Sequence, residues 1–288
     1  MSTDGTKNIW FAVSLTEFIV ISIINAFTLI VFARSCHLRR RNTYLIMNLT
    51  VADLLCWAAA GPHTLWFLKT GKRSTHGLRV LYLMIADICW IASLSNLALI
   101  SLERLLAILY PFRHCLVGKR IYYKTIIFSW LGALILACVP HIIRMNDVPL
   151  TDRYPWIIYL FLTLAVLTIS YVIIISKLIR KAHVQQLGSV MSAERKLSVT
   201  LFIVSAASIL TLLPWVIIVC FAISSDHHVW FQFTPMKIAT TFYHLNSILN
   251  PVIYAIRLTE FRRASKELFC KNSSYSVRQD QPIELQAM

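Results

Sequence analysis

The stretch NSILNPVIY, Asn246 to Tyr254, sets Asn246, Ser247 and Asn250 within about one helical turn of each other, just ahead of Pro251, in a run otherwise built of Ile, Leu and Val. In water a proline at this place breaks a helix. In a membrane the helix bends and continues, because neighbouring helices satisfy the freed backbone groups. Amides and hydroxyls inside such a helix are costly in hydrocarbon, so they face a bundle interior or a cavity. The stretch therefore predicts one membrane span with a polar inner face, and other spans to meet that face.

Working outward, those spans are present. The chain has 288 residues, 57% of them hydrophobic and 14% charged, a composition that suits lipid as the solvent. A bilayer core of about 30 Å needs roughly 20 apolar residues per helix. Seven stretches qualify, at about 10–33, 43–67, 80–110, 123–143, 155–179, 196–223 and 235–257. The expected fold class is an all-α membrane protein: a seven-transmembrane helix bundle over 10–257, an N-terminal extracellular stub over 1–9, and a cytoplasmic tail over 258–288. The tail opens with a short amphipathic cytoplasmic helix at about 259–270, where Phe261, Leu268 and Phe269 are expected to face lipid. Arg262, Arg263 and Lys266 would meet anionic headgroups, and Cys270 is a lipidation candidate. The third stretch is too long for an upright span and predicts a tilted helix.

The net charge of +15 is concentrated in loops assigned to the cytoplasm, above all Arg39, Arg40 and Arg41 and the tail, although Lys69, Lys72, Arg73 and Arg79 make the first outer loop basic. This is the positive-inside bias, with the N-terminus outside, and it argues against nucleic acid as a partner. The first span reads as a retained signal anchor. None of the seven cysteines falls securely in an outer loop, so no disulfide framework is expected. The second outer loop and the third inner loop are short, so a ligand site has to lie between the helices.

Polar residues recur at similar depth in the other spans: Asn25 in span one, Asn48 and Asp53 in NLTVAD of span two, and Ser93 and Arg104 in SLSNLALISLER of span three. Ser93 and Arg104 lie about three turns apart and point the same way, with Ala86, Trp90 and Leu97 on the same face. With Asn246, Ser247 and Asn250 these residues predict an oxygen-rich pocket around Asp53.

In order along the chain, Asn25, Leu49 with Asp53, Glu103-Arg104-Leu105, Trp130, Tyr171, Pro214, the Asn250-Pro251-Tyr254 set and Phe261 resemble the signature residues of the rhodopsin-like G-protein-coupled receptors. The resemblance spans essentially the whole chain. It implies a receptor that binds an extracellular ligand within the bundle and activates a heterotrimeric G protein, with membrane lipids as the remaining partner and no enzymatic activity. It implies that Asp53, Ser93, Asn246, Ser247 and Asn250 hold an allosteric sodium ion; a hydrogen-bonded polar seam without an ion is the alternative. No other cofactor is expected. It also implies that Arg104 pairs with Glu103 and with Glu194 at the base of span six, the alternative being a solvated Glu194, and that Tyr171 and Tyr254 belong to the coupling machinery.

The chain also departs from the family pattern. Leu212 stands where span six usually carries a tryptophan, Ser208 replaces a phenylalanine, Thr163 replaces the proline of span five, and Arg79 takes the place of a disulfide cysteine. The short second outer loop resembles that of melanocortin receptors, some of these absences are shared with cannabinoid and lysophospholipid receptors, and NPVIYAIRLTEFR resembles adenosine receptors. Trp90 is expected to form the pocket floor in place of the missing tryptophan, with Leu212 as its smaller partner; the alternative is that Trp90 is only a core aromatic.

Ligand-binding candidates are Glu17, His63, Ala86, Asp87, Trp90, Trp156, Tyr159, Trp215, Tyr243 and His244, whose aromatic character suits a small amphipathic molecule or short peptide. Asp87 could serve an amine, but the amine-receptor acid aligns with Ala86, and one residue is a rotation of about 100° that would turn Asp87 toward spans four or five. An opsin-related receptor is an alternative that needs a Schiff-base lysine where His244 stands. A channel or transporter would call for repeats, broken helices or rings of charge, and none is evident.

Overall fold

The computed structural model describes residues 3–35, 38, 43–71, 75–145, 154–184, 189–224 and 233–268. They form α1 (Thr3–Arg34), α2 (Thr43–Thr70), α3 (His76–Leu109), α4 (Pro111–Leu116), α5 (Lys119–Met145), α6 (Tyr154–Val184), α7 (Ser189–Ser224), α8 (Phe233–Arg257) and α9 (259–268). The long helices outrun the apolar stretches because their end turns continue in polar residues. α1 begins at Thr3, inside the segment read as a stub.

Six of these helices are long and apolar enough to cross a membrane. α8 falls short by composition because of its own asparagines, His244 and Lys237, yet it packs against α7, α1 and α2 and closes the ring. α3 sits at the centre, touching α2, α5, α6 and α7. Large apolar side chains such as Ile23, Phe128, Ile135, Ile169 and Leu210 point outward and are exposed, an apolar belt that calls for lipid rather than water.

Local chemistry sets the helix ends. Gly71, at φ 64°, closes α2 and returns its N–H to the Phe67 carbonyl (2.9 Å), a conformation open to glycine at no steric cost. α3 stops at Leu109 because Tyr110 precedes a proline and is kept out of the helical region (φ −131°, ψ 63°); Pro111 then starts α4, where its missing N–H costs nothing. Pro62, Pro214 and Pro251 all lie inside continuous helices. At Gly61 α1 comes so close to α2 that a Cβ would lie 2.4 Å from Phe18 Cδ2. Among the described residues Cys56, Cys89, Cys115 and Cys138 form no disulfide.

α9 is amphipathic, with Arg262, Arg263 and Lys266 exposed, but its apolar face is turned differently from expectation. Phe261 is buried, its ring 5.3 Å from Phe32 of α1, and so faces the bundle and not lipid. Leu268 likewise packs on the core. Phe269 and Cys270 lie outside the described residues, as do the side chains of Trp156 and Glu194.

Candidate functional site

We call the end of the bundle where α1 and α3 begin the upper end, and the end bearing Arg104 the lower one. Midway between them Asp53 is almost fully buried. Ser93 Oγ donates to its Oδ1 (2.7 Å) and Asn250 Nδ2 to its Oδ2 (3.0 Å), so α2, α3 and α8 meet on one carboxylate. Pro251 has no N–H for the Ser247 carbonyl, and Asn25 Nδ2 of α1 takes over that carbonyl at 3.0 Å. Asn25 thus supplies from another helix the bond that the proline removes.

Three carbonyl oxygens of this layer, Asn25 Oδ1, Asn246 Oδ1 and Asn250 Oδ1, are buried with no hydrogen-bond partner in the protein. Unmatched acceptors beside a buried carboxylate are costly on their own, and hard oxygen donors of this kind suit a small cation. The donor set therefore fits sodium. Alongside this layer Asn48 Nδ2 donates to Asn96 Oδ1 (2.8 Å) and Trp130 Nε1 to Asn48 Oδ1 (2.9 Å), tying α2, α3 and α5 together.

At the lower end Arg104 is 1% exposed and meets Glu103 through Nε and Nη2, a fork of charge-assisted bonds. Glu103 Oε1 also engages His114 Nε2 of α4 (2.7 Å) and accepts from Tyr122 OH of α5 (3.1 Å). Tyr171 is buried and its hydroxyl accepts from Ser205 Oγ of α7 (3.1 Å). Tyr254 is fully buried with an unpartnered hydroxyl and stands edge-on to Phe32 at 6.2 Å. The pairing of Arg104 with Glu194 falls on a side chain outside the described residues.

In the upper half Trp90 is the hub of an aromatic group. Its ring lies 5.7 Å from Trp215, 6.1 Å from Tyr243 and 6.4 Å from Tyr159. Leu212 is buried in the same core, but the large partner that Trp90 meets on α7 is Trp215, so aromatic bulk is retained on that helix just past Pro214. Tyr159 is bound to α3, its hydroxyl donating to the Ile91 carbonyl (2.8 Å) and lying 2.9 Å from Ser95 Oγ. Thr163 keeps the backbone N–H a proline would lack, and its Oγ1 adds a second bond to the Tyr159 carbonyl (2.8 Å).

His63 is half-buried next to Tyr82, with ring centroids 5.6 Å apart. Asp87 lies within electrostatic range of Cys56 on α2 and Tyr243 on α8. The neighbouring Ala86 carbonyl sits against α2, with Cys56 Sγ at 3.8 Å. Glu17 Oε2 lies 3.0 Å from His244 Nδ1, and the His244 ring stands edge-on to Trp57 at 4.2 Å.

Sequence reasoning missed His114, Tyr122 and Trp57. The first two lie in and beside a loop of soluble-like composition, where the Tyr110-Pro111 helix break is the only signal. Trp57 reads as an ordinary lipid-facing aromatic.

A family model for the 7 transmembrane receptor (rhodopsin family) matches residues 24–254. Long-wave-sensitive opsin 1 of Canis lupus familiaris is 27% identical over 281 residues, covering 88% of this chain and 76% of that protein. Medium-wave-sensitive opsin 1 of Oryctolagus cuniculus is 25% identical (86% and 74%), and the red-sensitive opsin of Oryzias latipes is 25% identical (86% and 75%). Crystalline squid rhodopsin superposes with a TM-score of 0.80 at 17% identity, over 99% of this chain and 90% of that one. These relatives correct the likeness to melanocortin and adenosine receptors, which rested on one short loop and one short run, whereas the similarity to opsins extends over most of the chain. With its fold matched and its signature residues gathered on one axis of the bundle, the chain belongs to the rhodopsin family of seven-transmembrane receptors, a multi-pass membrane family of receptors and not of enzymes.

Proposed function

We propose that this chain binds an extracellular ligand in the upper half of the bundle and activates a heterotrimeric G protein through Arg104 and the lower ends of α3, α6, α7 and α8, in the plasma membrane with the upper end outside. The observation that carries the reading is Arg104, a guanidinium buried at the lower end whose fork is held by Glu103 and, through it, by α4 and α5. A buried charge gripped by removable partners is a switchable element. Asp53, Ser93, Asn246, Ser247 and Asn250 would hold sodium in the resting receptor, and a bound cation would supply the positive charge that the buried carboxylate lacks.

The test is nucleotide exchange by a G-protein panel reconstituted with the receptor. Basal or ligand-driven exchange is expected from the parent and none from Arg104→Ala at equal receptor density. Exchange unaffected by that substitution would refute the reading.

The opsin relatives favour a second reading, photoreception. Its covalent form is disfavoured by His244, since an imidazole cannot form the Schiff base that a lysine forms. Reconstitution with retinal would separate the two readings: a visible absorbance band that bleaches in light would support photoreception, and its absence would leave the ligand-activated reading.

A further inference from the structure

In the upper half, α1 and α8 share a polar seam in an otherwise apolar interface. Ser14 and Glu17 on α1 are buried. On α8, Lys237, Thr240 and His244 follow one another at about one turn each on one face. Lys237 lies within electrostatic range of both Glu17 and His244.

At the lower end of this seam the Glu17 carboxylate is only half used. Its Oε2 takes the His244 bond, while Oε1 is buried with no hydrogen-bond partner. Trp57, whose ring touches the same His244, is 2% exposed, and its Nε1 also has no partner. One unmatched acceptor bearing charge and one unmatched donor thus border a single imidazole. Phe18 closes the far side of Trp57 at 6.3 Å, and Tyr243 lies 5.2 Å from His244.

Buried carboxylates in hydrocarbon are expensive unless a positive or hydrogen-bonding partner reaches them. The charge of Lys237 reaches Glu17 and His244, yet Glu17 Oε1 is still without a hydrogen bond. Aromatic walls around an anionic atom also suit an organic cation.

Resting on the receptor reading above, we propose that the ligand is a small protonated amine with a hydrogen-bond acceptor next to its ammonium. It is anchored between α1, α2 and α8, with the ammonium donating to Glu17 Oε1 and the acceptor taking Trp57 Nε1–H. This is a different anchor from Asp87 on α3, and it places the ligand beside His244.

The experiment uses the full chain in lipid nanodiscs and reads thermal stabilisation, since a ligand that binds only the folded state raises its unfolding temperature in a saturable way. Three related probes are compared at millimolar concentration: phenylalaninol with both groups, 2-phenylethylamine without the hydroxymethyl group, and 3-phenylpropanol without the ammonium. Phenylalaninol is expected to act at the lowest concentration.

Glu17→Gln is expected to weaken phenylalaninol by about 10-fold or more, the size of a lost hydrogen bond to a charged group, and to abolish its advantage over 3-phenylpropanol. Trp57→Phe is expected to abolish its advantage over 2-phenylethylamine, a change of about 3- to 10-fold. Should Glu17→Gln fail to reach the membrane, the three probes on the parent and the Trp57→Phe arm decide alone. Equal action of phenylalaninol and 3-phenylpropanol, an unchanged response in both variants, or no stabilisation by any probe would overturn the proposal. Exchange of G-protein nucleotide in the same nanodiscs reports the receptor reading separately: exchange without probe binding sinks this proposal alone, and absence of exchange sinks the reading beneath it.

Discussion

Replacing His114 with alanine is expected to raise the basal activity of the receptor about tenfold. Glu103 holds Arg104 in its buried position, and Oε1 of that carboxylate is shared with His114 at 2.7 Å and Tyr122 at 3.1 Å. A hydrogen bond to a charged group contributes about 1.5–3 kcal/mol. The His114 and Glu103 side chains are 22% and 10% exposed, so water and the remaining tyrosine recover part of the loss and the lower bound, about 1.5 kcal/mol, applies. If the grip is specific to the resting state, removing it shifts the resting-to-active ratio by about a factor of ten, from on the order of 1% active to about 10%.

The assay is basal nucleotide exchange by a co-reconstituted G protein at equal receptor density, with Arg104→Ala as the silent reference. Tyr122→Phe, which loses a longer and weaker bond, is expected to give about a threefold rise. The pair together should exceed the product of the two, because each donor compensates for the other on the same oxygen. His114→Gln keeps a donor at similar reach and should stay quiet. A basal rate in His114→Ala that equals or falls below the parent's would show that the α4 contact is not part of the resting state.

Two further outcomes are expected. Asp53→Asn should abolish any effect of sodium on agonist affinity, read by competition binding in sodium and in a large-cation salt; persistence of the effect would mark the Asp53 layer as a polar seam without an ion. Gly61→Ala should lower the thermal unfolding midpoint by overpacking α1 on α2, at a cost of about 1–3 kcal/mol, since the new Cβ would meet Phe18 Cδ2 at 2.4 Å; an unchanged midpoint would mean that Phe18 swings away freely.

The central layer was legible in the sequence because a carboxylate or an amide inside an apolar helix is rare and has to point inward. Asp53, Ser93 and Asn250 meet in the structure as their helical spacing predicted. The upper site was legible only as a set of names. Glu17 and His244 were each marked as inward-facing, but nothing in a linear chain pairs residues 227 apart. Phe261 shows the same limit: periodicity reveals that α9 has an apolar face, and says nothing about whether lipid or Phe32 covers it. The grip on Glu103 escaped because its donors sit at the water-facing end, where polar residues are common and carry no signal.

The bond from Asn25 to the Ser247 carbonyl also bears on how the protein is made. Synthesis delivers α1 to the membrane first and α8 only after the intervening helices, yet α1 carries Glu17, Asn25 and Phe32, whose partners His244, Ser247 and Tyr254 arrive in α8 and Phe261 just after it. Until then α1 carries an acid and an amide in lipid whose late partners are still missing. Burial of these polar groups is therefore completed only when α8 packs against α1.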